Sequence, residues 1–346
     1  MKLSDFDYTL PQELIAQYPA QKRDSSRMLV LDKNSGKIQH RNFTDLPDYL
    51  NKNDAIVFND TKVFKARLIG NRQGFSGRIE LLLLRENPAG TFECLAKPAK
   101  KLSKGTVIEF ADSKLTATIV GAESETRYVS FQTNGASLDK CIEKIGIMPL
   151  PPYIKRQPVL DDEKRYQTIY AKNSGAAAAP TAGLHFTDTI IKKITAKGAK
   201  TVYITLHVGY ATFKPVTADA VEAHKMHSEY FKISKNAASA INKAGQNNGK
   251  VLAVGTTVCR ALESAAGVLN AQYSILTTQN ETKLFIYPGY NFKITDMLLT
   301  NFHLPKTTLL MLVSAFGGYD NIMRAYQEAI EQKYRFYSYG DCMLIV

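Results

Sequence analysis

Residues 67–131 carry six short runs in succession: Arg67-Leu-Ile-Gly70, Arg78-Ile-Glu-Leu-Leu-Leu-Leu84, Thr91-Phe-Glu-Cys-Leu-Ala96, Thr106-Val-Ile-Glu-Phe110, Lys114-Leu-Thr-Ala-Thr-Ile-Val120 and Arg127-Tyr-Val-Ser-Phe131. Several alternate apolar and polar positions, and Gly, Pro, Asn, Asp or Ser punctuates nearly every gap. Short strand-forming runs at this spacing predict an all-β module, a small barrel.

On both flanks the rhythm changes. Upstream, Met28–Leu31 and Ala55–Phe58 read as short strands, and the stretch between Pro11 and Pro19 as a short helix. Downstream, Pro149, Pro151, Pro152 and Pro158 make Ile145–Pro158 a stiff connector. After it, strands alternate with helices. Thr187–Lys197 sets Ile190, Ile191 and Ile194 on one face, starts on Thr-Asp and stops at Gly198. Val202–Leu206 and Lys250–Val254 read as buried strands, and Ser234 caps a helix running through Ala244. Helices follow at Cys259–Ala266 and Asn321–Lys333, and Met343–Val346 can close a sheet. The expected fold is an α/β main domain with a mixed sheet, built from 1–65 and 136–346, into which a β-barrel domain of residues 66–135 is inserted.

At 346 residues, 45% hydrophobic and 22% charged, the chain has the composition of a globular protein rather than a disordered or fibrous one. Its longest apolar stretch, Thr307–Phe316, is half the length a membrane helix requires, about 20 residues. Asp5 and Asp7 stand where a secretory signal would carry basic residues, and Cys94, Cys141, Cys259 and Cys342 form no paired spacing. The expectation is a cytoplasmic protein with reduced thiols and no membrane association. Lys and Arg outnumber Asp and Glu 44 to 32, a net charge of +12, which points to a polyanionic partner with nucleic acid first in line.

The residues with chemical potential follow the proline connector. Gly175–Phe186 is a run of small residues ending in His185 before a predicted helix start, a wall against which a ligand can approach backbone. Five of the six histidines lie between 185 and 303: His185, His207, His224, His227 and His303. The 224/227 spacing raises zinc, but no H-E-x-x-H and no nearby cysteine pair supports it, so general acid–base roles are the better reading and no metal is expected. No phosphate loop, dinucleotide fingerprint or nucleophile elbow occurs. Val254-Gly-Thr-Thr257 is read as an ordinary strand-to-helix connection rather than a ligand turn. Tyr334-Arg-Phe-Tyr-Ser-Tyr-Gly-Asp341 interleaves arginine with aromatic rings, a pattern explained more simply by a buried tyrosine cluster than by base stacking.

Taken in order, Phe6-Asp-Tyr-x-Leu-Pro-x-Glu-Leu-Ile-Ala16, Phe58-Asn-Asp-Thr-Lys-Val63, Met148-Pro-Leu-Pro-Pro-Tyr-Ile154, Ala178-Ala-Pro-Thr-Ala-Gly-Leu-His-Phe186, Thr205-Leu-His-Val-Gly209, His224-Lys-Met-His-Ser-Glu229, Thr300-Asn-Phe-His-Leu-Pro305 and Tyr334–Asp341 form a distinctive set. The chain resembles the S-adenosylmethionine:tRNA ribosyltransferase-isomerases of queuosine biosynthesis from residue 6 to its C-terminus. It departs from their pattern at Ala211, where glycine is usual, and at Val258-Cys259.

The resemblance implies an α/β domain with an inserted six-stranded β-barrel. It implies transfer of the ribosyl group of S-adenosylmethionine to 7-aminomethyl-7-deazaguanine at the tRNA wobble position. The group is isomerised to an epoxycyclopentanediol, and adenine and methionine leave. S-adenosylmethionine is then a cosubstrate, with no permanently bound cofactor, and the chain is expected to act as a monomer. The candidate catalytic residues are His185, His207, His303 and Asp341. Candidate substrate contacts are Pro180, Thr181, Ala182, Gly183, Asn301, Arg335 and Asp60, with His224 and His227 in reserve; Asp296 is a further acid that could face the sulfonium. A tRNA methyltransferase and a non-catalytic RNA-binding protein are the competing readings. The acidic-Gly-x-Gly signature of the former is missing from Val251–Thr257.

Overall fold

The computed structural model describes residues 1–87, 89–110, 115–209, 220–224, 226–269 and 272–346. Its main body is a nine-stranded sheet in the order Thr278–Thr282, Glu229–Ile233, Lys200–Leu206, Ala55–Asn59, Val251–Val254, Met297–Asn301, Cys342–Ile345, Arg27–Leu31, Ile38–Asn42. The four strands from Lys200–Leu206 to Met297–Asn301 run parallel, while Cys342–Ile345 and the outermost strands introduce antiparallel pairs. The sheet is mixed, as the alternation of strands and helices predicted.

Side-chain alternation sorts the sheet into two faces. Leu29, Leu31, Val57, Ala253 and Leu298 pack on one side, which also buries Ile241, Leu262, Val313 and Tyr326 from the helices Lys235–Gln246, Thr256–Ser264, Thr308–Gly317 and Tyr319–Glu331. Met28, Val30, Ile56, Phe58, Leu252 and Leu299 pack on the other, against Phe186 and against Ile190 and Ile194 of the helix Asp188–Ala196. Two predicted caps are in place: Thr187 Oγ1 accepts the Ile190 N–H at 3.4 Å, and Ser234 Oγ the Ala237 N–H at 3.3 Å. Among the described residues no helix is long and apolar enough to cross a membrane.

The six predicted runs form six antiparallel strands, closed into a barrel in the order Thr126–Thr133, Phe92–Lys97, Arg78–Glu86, Arg67–Arg72, Val107–Glu109, Leu115–Glu123. Alternate residues fill it: Leu115, Ala117 and Ile119 face inward with Leu68, Leu81, Leu83, Cys94 and Val129. Lys114, the first residue of one predicted run, and Ala211 lie outside the described residues.

Several elements differ from expectation. The stretch between Pro11 and Pro19 makes only the single 3-10 turn Gln12–Leu14. The helix expected from Cys259 begins at Thr256, directly after Gly255. Thr308–Gly317, noted only as an apolar run, is a buried helix capped by Thr307 Oγ1.

Candidate active site

The carboxyl ends of the four parallel strands converge at one edge of the sheet, where open α/β sheets bind ligands. Asn59-Asp60, Leu206-His207, Val254-Gly255 and Asn301-Phe302-His303 all lie at this edge. Because Cys342–Ile345 runs antiparallel to Met297–Asn301, and Arg27–Leu31 parallel to Cys342–Ile345, Asp341 and Ser26 come to the same edge from the opposite chain direction.

A cleft of about 670 Å³, counting its open mouth, occupies this edge. One wall is the small-residue segment Ala179–Ala182, another the turn Gly255-Thr256-Thr257, and the floor holds Thr300, Asn301 and His303; Tyr153, Tyr337 and Ser338 close the side. Among the described residues the lining contains no carboxylate, lysine or arginine. Gly255, Thr256 and Thr257, in the segment read as an ordinary connection, line the cleft. Gly255 caps the helix at a φ of 94°, and the buried Thr257 Oγ1 has no hydrogen-bond partner.

The three motif histidines stand in three distinct settings. His303 lies in the cleft; Thr300 Oγ1 donates to the Asn301 carbonyl at 3.2 Å and meets His303 Nε2 at 2.7 Å, so Nε2 carries the proton and Nδ1 is left as a lone pair. Burial pushes this imidazole down to about 3. His185 sits behind the cleft, with Nδ1 2.9 Å from Ser26 Oγ and Nε2 3.3 Å from Asn301 Nδ2. Burial, aided by the positive charges of Arg335 and Arg23, pushes it down to about 4. His207 occupies a neighbouring depression with Asp60, one residue before Val208 of the cleft wall. Its Nδ1 meets Thr61 Oγ1 at 2.8 Å and its ring stacks on Tyr230; burial lowers it, with Asp60 opposing.

Asp60 is held by Thr205 Oγ1 and Asn173 Nδ2, at 2.7 and 3.0 Å. Asp341 accepts the backbone N–H groups of Arg27 and Arg335 at 2.9 and 2.8 Å, so both oxygens hold chain segments together; burial raises its carboxyl above the usual range against these bonds. It reaches the cleft only through its carbonyl, which accepts from Asn301 Nδ2 at 3.2 Å.

The structure thus brings Pro180, Thr181, Ala182, Asn301 and His303 into one cleft and ties His185 and Asp341 to it through Asn301. Gly183 is turned away, against Tyr170 and Thr168. Arg335 bonds the Tyr18 carbonyl outside the cleft. His224 packs edge-on against Phe285, and His227 is exposed beyond it. Asp296 caps the amino end of the sheet by accepting the Val251 N–H at 2.8 Å, opposite the cleft. Among the described residues no group of three His, Cys, Asp or Glu side chains is placed to hold a metal ion. Tyr334, Phe336, Tyr337 and Tyr339 are buried, so the terminal aromatic run is a core cluster that lends the cleft one face of Tyr337. Tyr153, Thr256, Thr257 and Thr300 carried no signal that separates a cleft threonine or tyrosine from a core one.

A family model described as queuosine biosynthesis protein matches residues 3–345. A crystal structure of the S-adenosylmethionine tRNA ribosyltransferase from Thermotoga maritima is 36% identical, with 99% of this chain and 100% of that chain covered and a TM-score of 0.55.

Proposed function

The chain belongs to the queuosine biosynthesis protein family, and on that premise we propose that it is an S-adenosylmethionine:tRNA ribosyltransferase-isomerase. It transfers the ribosyl group of S-adenosylmethionine to 7-aminomethyl-7-deazaguanine at the tRNA wobble position, gives the epoxycyclopentanediol of epoxyqueuosine, and releases adenine and methionine. The family match does not favour a methyltransferase or a non-catalytic RNA binder. We further take it to act as a cytoplasmic monomer, with residues 66–135 as a domain inserted into the α/β body.

The observation that carries the site assignment is the His303–Asn301 pair on the floor of an uncharged cleft beside the small-residue wall. Ala179–Ala182 lets adenosine lie against backbone, and the faces of Tyr153 and Tyr337 suit a sulfonium cation. The C5′ hydrogen next to the sulfonium is the acidic one, and the lone pair of His303 Nδ1 is the base that takes it. Passing that proton to the departing adenine returns the ring to its neutral form. His185 and Asp341 act by positioning Asn301. His207 and Asp60 face the neighbouring depression as a second acid–base pair, Arg335 serves anion contact, and His224 and His227 stay in reserve.

The test is to incubate the protein with S-adenosylmethionine and tRNA carrying 7-aminomethyl-7-deazaguanine. Adenine and methionine should appear in equal amounts; S-adenosylhomocysteine, or no product, would overturn the reading. His303→Ala should lose both adenine release and solvent exchange of the C5′ hydrogens, and retention of both would move the base elsewhere.

A further inference from the structure

Beside the cleft, and sharing Ser338 with it, lies a smaller pocket of about 260 Å³ whose lining includes Arg23, Arg165, Ser26 and His185. Its cations are bound in an unusual way. Arg23 donates to the carbonyls of Leu184 and Lys164 at 3.1 and 2.6 Å, and Arg165 to those of Gln21 and Ala20 at 3.3 and 2.6 Å. Arg335, which does not line this pocket, donates to the carbonyl of Tyr18. Among the described residues none of the three makes an ion pair. Carbonyl oxygens fix where a guanidinium points without cancelling its charge, and arginine cannot shed its proton.

Asp161 acts on Arg23 from a distance without pairing with it, and the two buried carboxylates nearby are committed elsewhere. Asp162 is clamped by Arg156 at 2.6 and 2.7 Å and accepts from Tyr339, and Asp341 spends both oxygens on backbone. Arg165 Nε is buried with no partner at all. The cations also feel one another: Arg165 lowers Arg23, after burial as the larger cause, and Arg23 and Arg335 both act on His185. Like charges held together at the rim of a reaction cleft, with donors unspent, fit a partner that supplies the negative charge.

We propose that Arg23 and Arg165, with the charge of Arg335 outside the lining adding to theirs, form an oxyanion subsite adjoining the cleft. It takes either a phosphodiester of the tRNA or the carboxylate of the methionine arm of S-adenosylmethionine. The assignment of these two sources rests on the function proposed above; the anion site itself rests on the arginines.

Arg23→Gln and Arg165→Gln are the variants to make, with thermal melting to establish that they fold. Binding of S-adenosylmethionine is measured without RNA, and binding of an anticodon stem-loop across a salt series. With a phosphodiester at the site, stem-loop affinity falls and its log–log salt slope shrinks by about one per arginine lost, while S-adenosylmethionine binding is unchanged. With the carboxylate, S-adenosylmethionine binding weakens roughly tenfold, and decarboxylated S-adenosylmethionine binds variant and wild type alike. If both affinities stay within about twofold of wild type in folded variants, the proposal is wrong. Should the variants fail to fold, phenylglyoxal modification of the wild-type protein decides: one of the two ligands must protect Arg23 and Arg165, and protection by neither overturns the site. Adenine release by the wild type is followed in parallel, so its absence rejects the function while the anion-binding result stands by itself.

Discussion

Asn301 Nδ2 lies 3.3 Å from His185 Nε2 and also 3.1 and 3.2 Å from the carbonyl oxygens of Tyr337 and Asp341. Two amide hydrogens face three acceptors, and the two carbonyls exclude the flipped amide, whose oxygen would oppose them. His185 Nε2 must therefore be an acceptor, which places the proton of a neutral ring on Nδ1, directed at Ser26 Oγ. Burial, with the charges of Arg335 and Arg23, pushes the ring down to about 4 and so keeps it neutral. The same geometry leaves the buried Asn301 Oδ1 without a protein partner. Asn301 lines the cleft, and this is an acceptor for a substrate hydroxyl or amine.

Asn301→Asp turns the donor into a carboxylate facing two carbonyls and a ring lone pair. The expected cost is about 3 kcal/mol of stability, because a buried charge loses its partners. The ring of His185 should titrate at higher pH beside the new charge, which NMR of labelled histidine would register. An unchanged melting temperature together with an unchanged His185 titration would contradict the hydrogen-bond assignment.

His185 and His303 should make stability depend on pH with a definite sign. Both are buried neutral, with folded values of about 4 and about 3, below the free imidazole value of 6.5. Between the folded and unfolded values the unfolded chain binds more protons, so stability is complete above pH 6.5 and is lost as pH falls toward 4. Each ring contributes a slope of about 1.4 kcal/mol per pH unit in that window. Urea unfolding of His303→Gln between pH 7 and 4.5 should give a slope shallower by that amount. Equal slopes for variant and wild type would mean that His303 is not held neutral.

The barrel was legible because its residues obey period-two burial, and the centre of the sheet because short apolar runs such as Ala55–Phe58 and Val251–Val254 are buried on both faces. Leu115, Ala117 and Ile119 point into the barrel, Thr116 and Thr118 less so, and Met28 to Leu31 alternate between the two faces of the sheet. The edge strands Ile38–Asn42 and Thr278–Thr282 escaped because partly exposed polar residues carry no such pattern. Met297–Asn301, buried at all five positions like Ala55–Asn59, escaped because its apolar run is only three residues long before the polar Thr300 and Asn301. In the site, the motif of His303 supplies the cleft floor and that of His185 the wall beside it. They could not reveal that Asn301 joins two of the candidates while His207 faces a different depression, since those relations arise only when parallel strands end at one edge. Gly255-Thr-Thr forms the expected strand-to-helix connection, and its place in the cleft lining follows from where the strand ends.

Gly175 is the position that lets His207 approach the chain. A Cβ there would stand 2.8 Å from both Cε1 and Nε2 of the ring, and its φ of 145° is strained for any other residue. Gly175→Ala should displace the imidazole from Thr61 and cost about 1–3 kcal/mol of stability. If His207 belongs to the chemistry, adenine release should fall by more than tenfold while the barrel and sheet persist by circular dichroism. Full activity with a displaced His207 would remove that histidine from the mechanism.

The last prediction separates packing from ligand contact at Gly183. A Cβ on Gly183 would overlap Tyr170 Oη and stand 2.9 Å from Thr168 Cγ2. Tyr170 Oη is itself buried without a hydrogen-bond partner, so Tyr170→Phe alone should change stability by less than about 1 kcal/mol. Gly183→Ala alone should cost about 1–3 kcal/mol through overpacking of the wall behind Thr181 and Ala182. In the double variant the hydroxyl is gone and the nearest ring atom, Cζ, stands 3.3 Å from the new methyl, a tight contact but not an overlap. Thr168 still crowds it, so rescue should be partial, with a favourable coupling of about 1 kcal/mol in the double-mutant cycle. Activity then decides the role of Gly183. If it acts by holding the small-residue wall in place, adenine release returns together with stability. If its bare backbone touches the ligand, stability returns and adenine release does not. Strictly additive stability changes would show that Tyr170 is not what Gly183 makes room for.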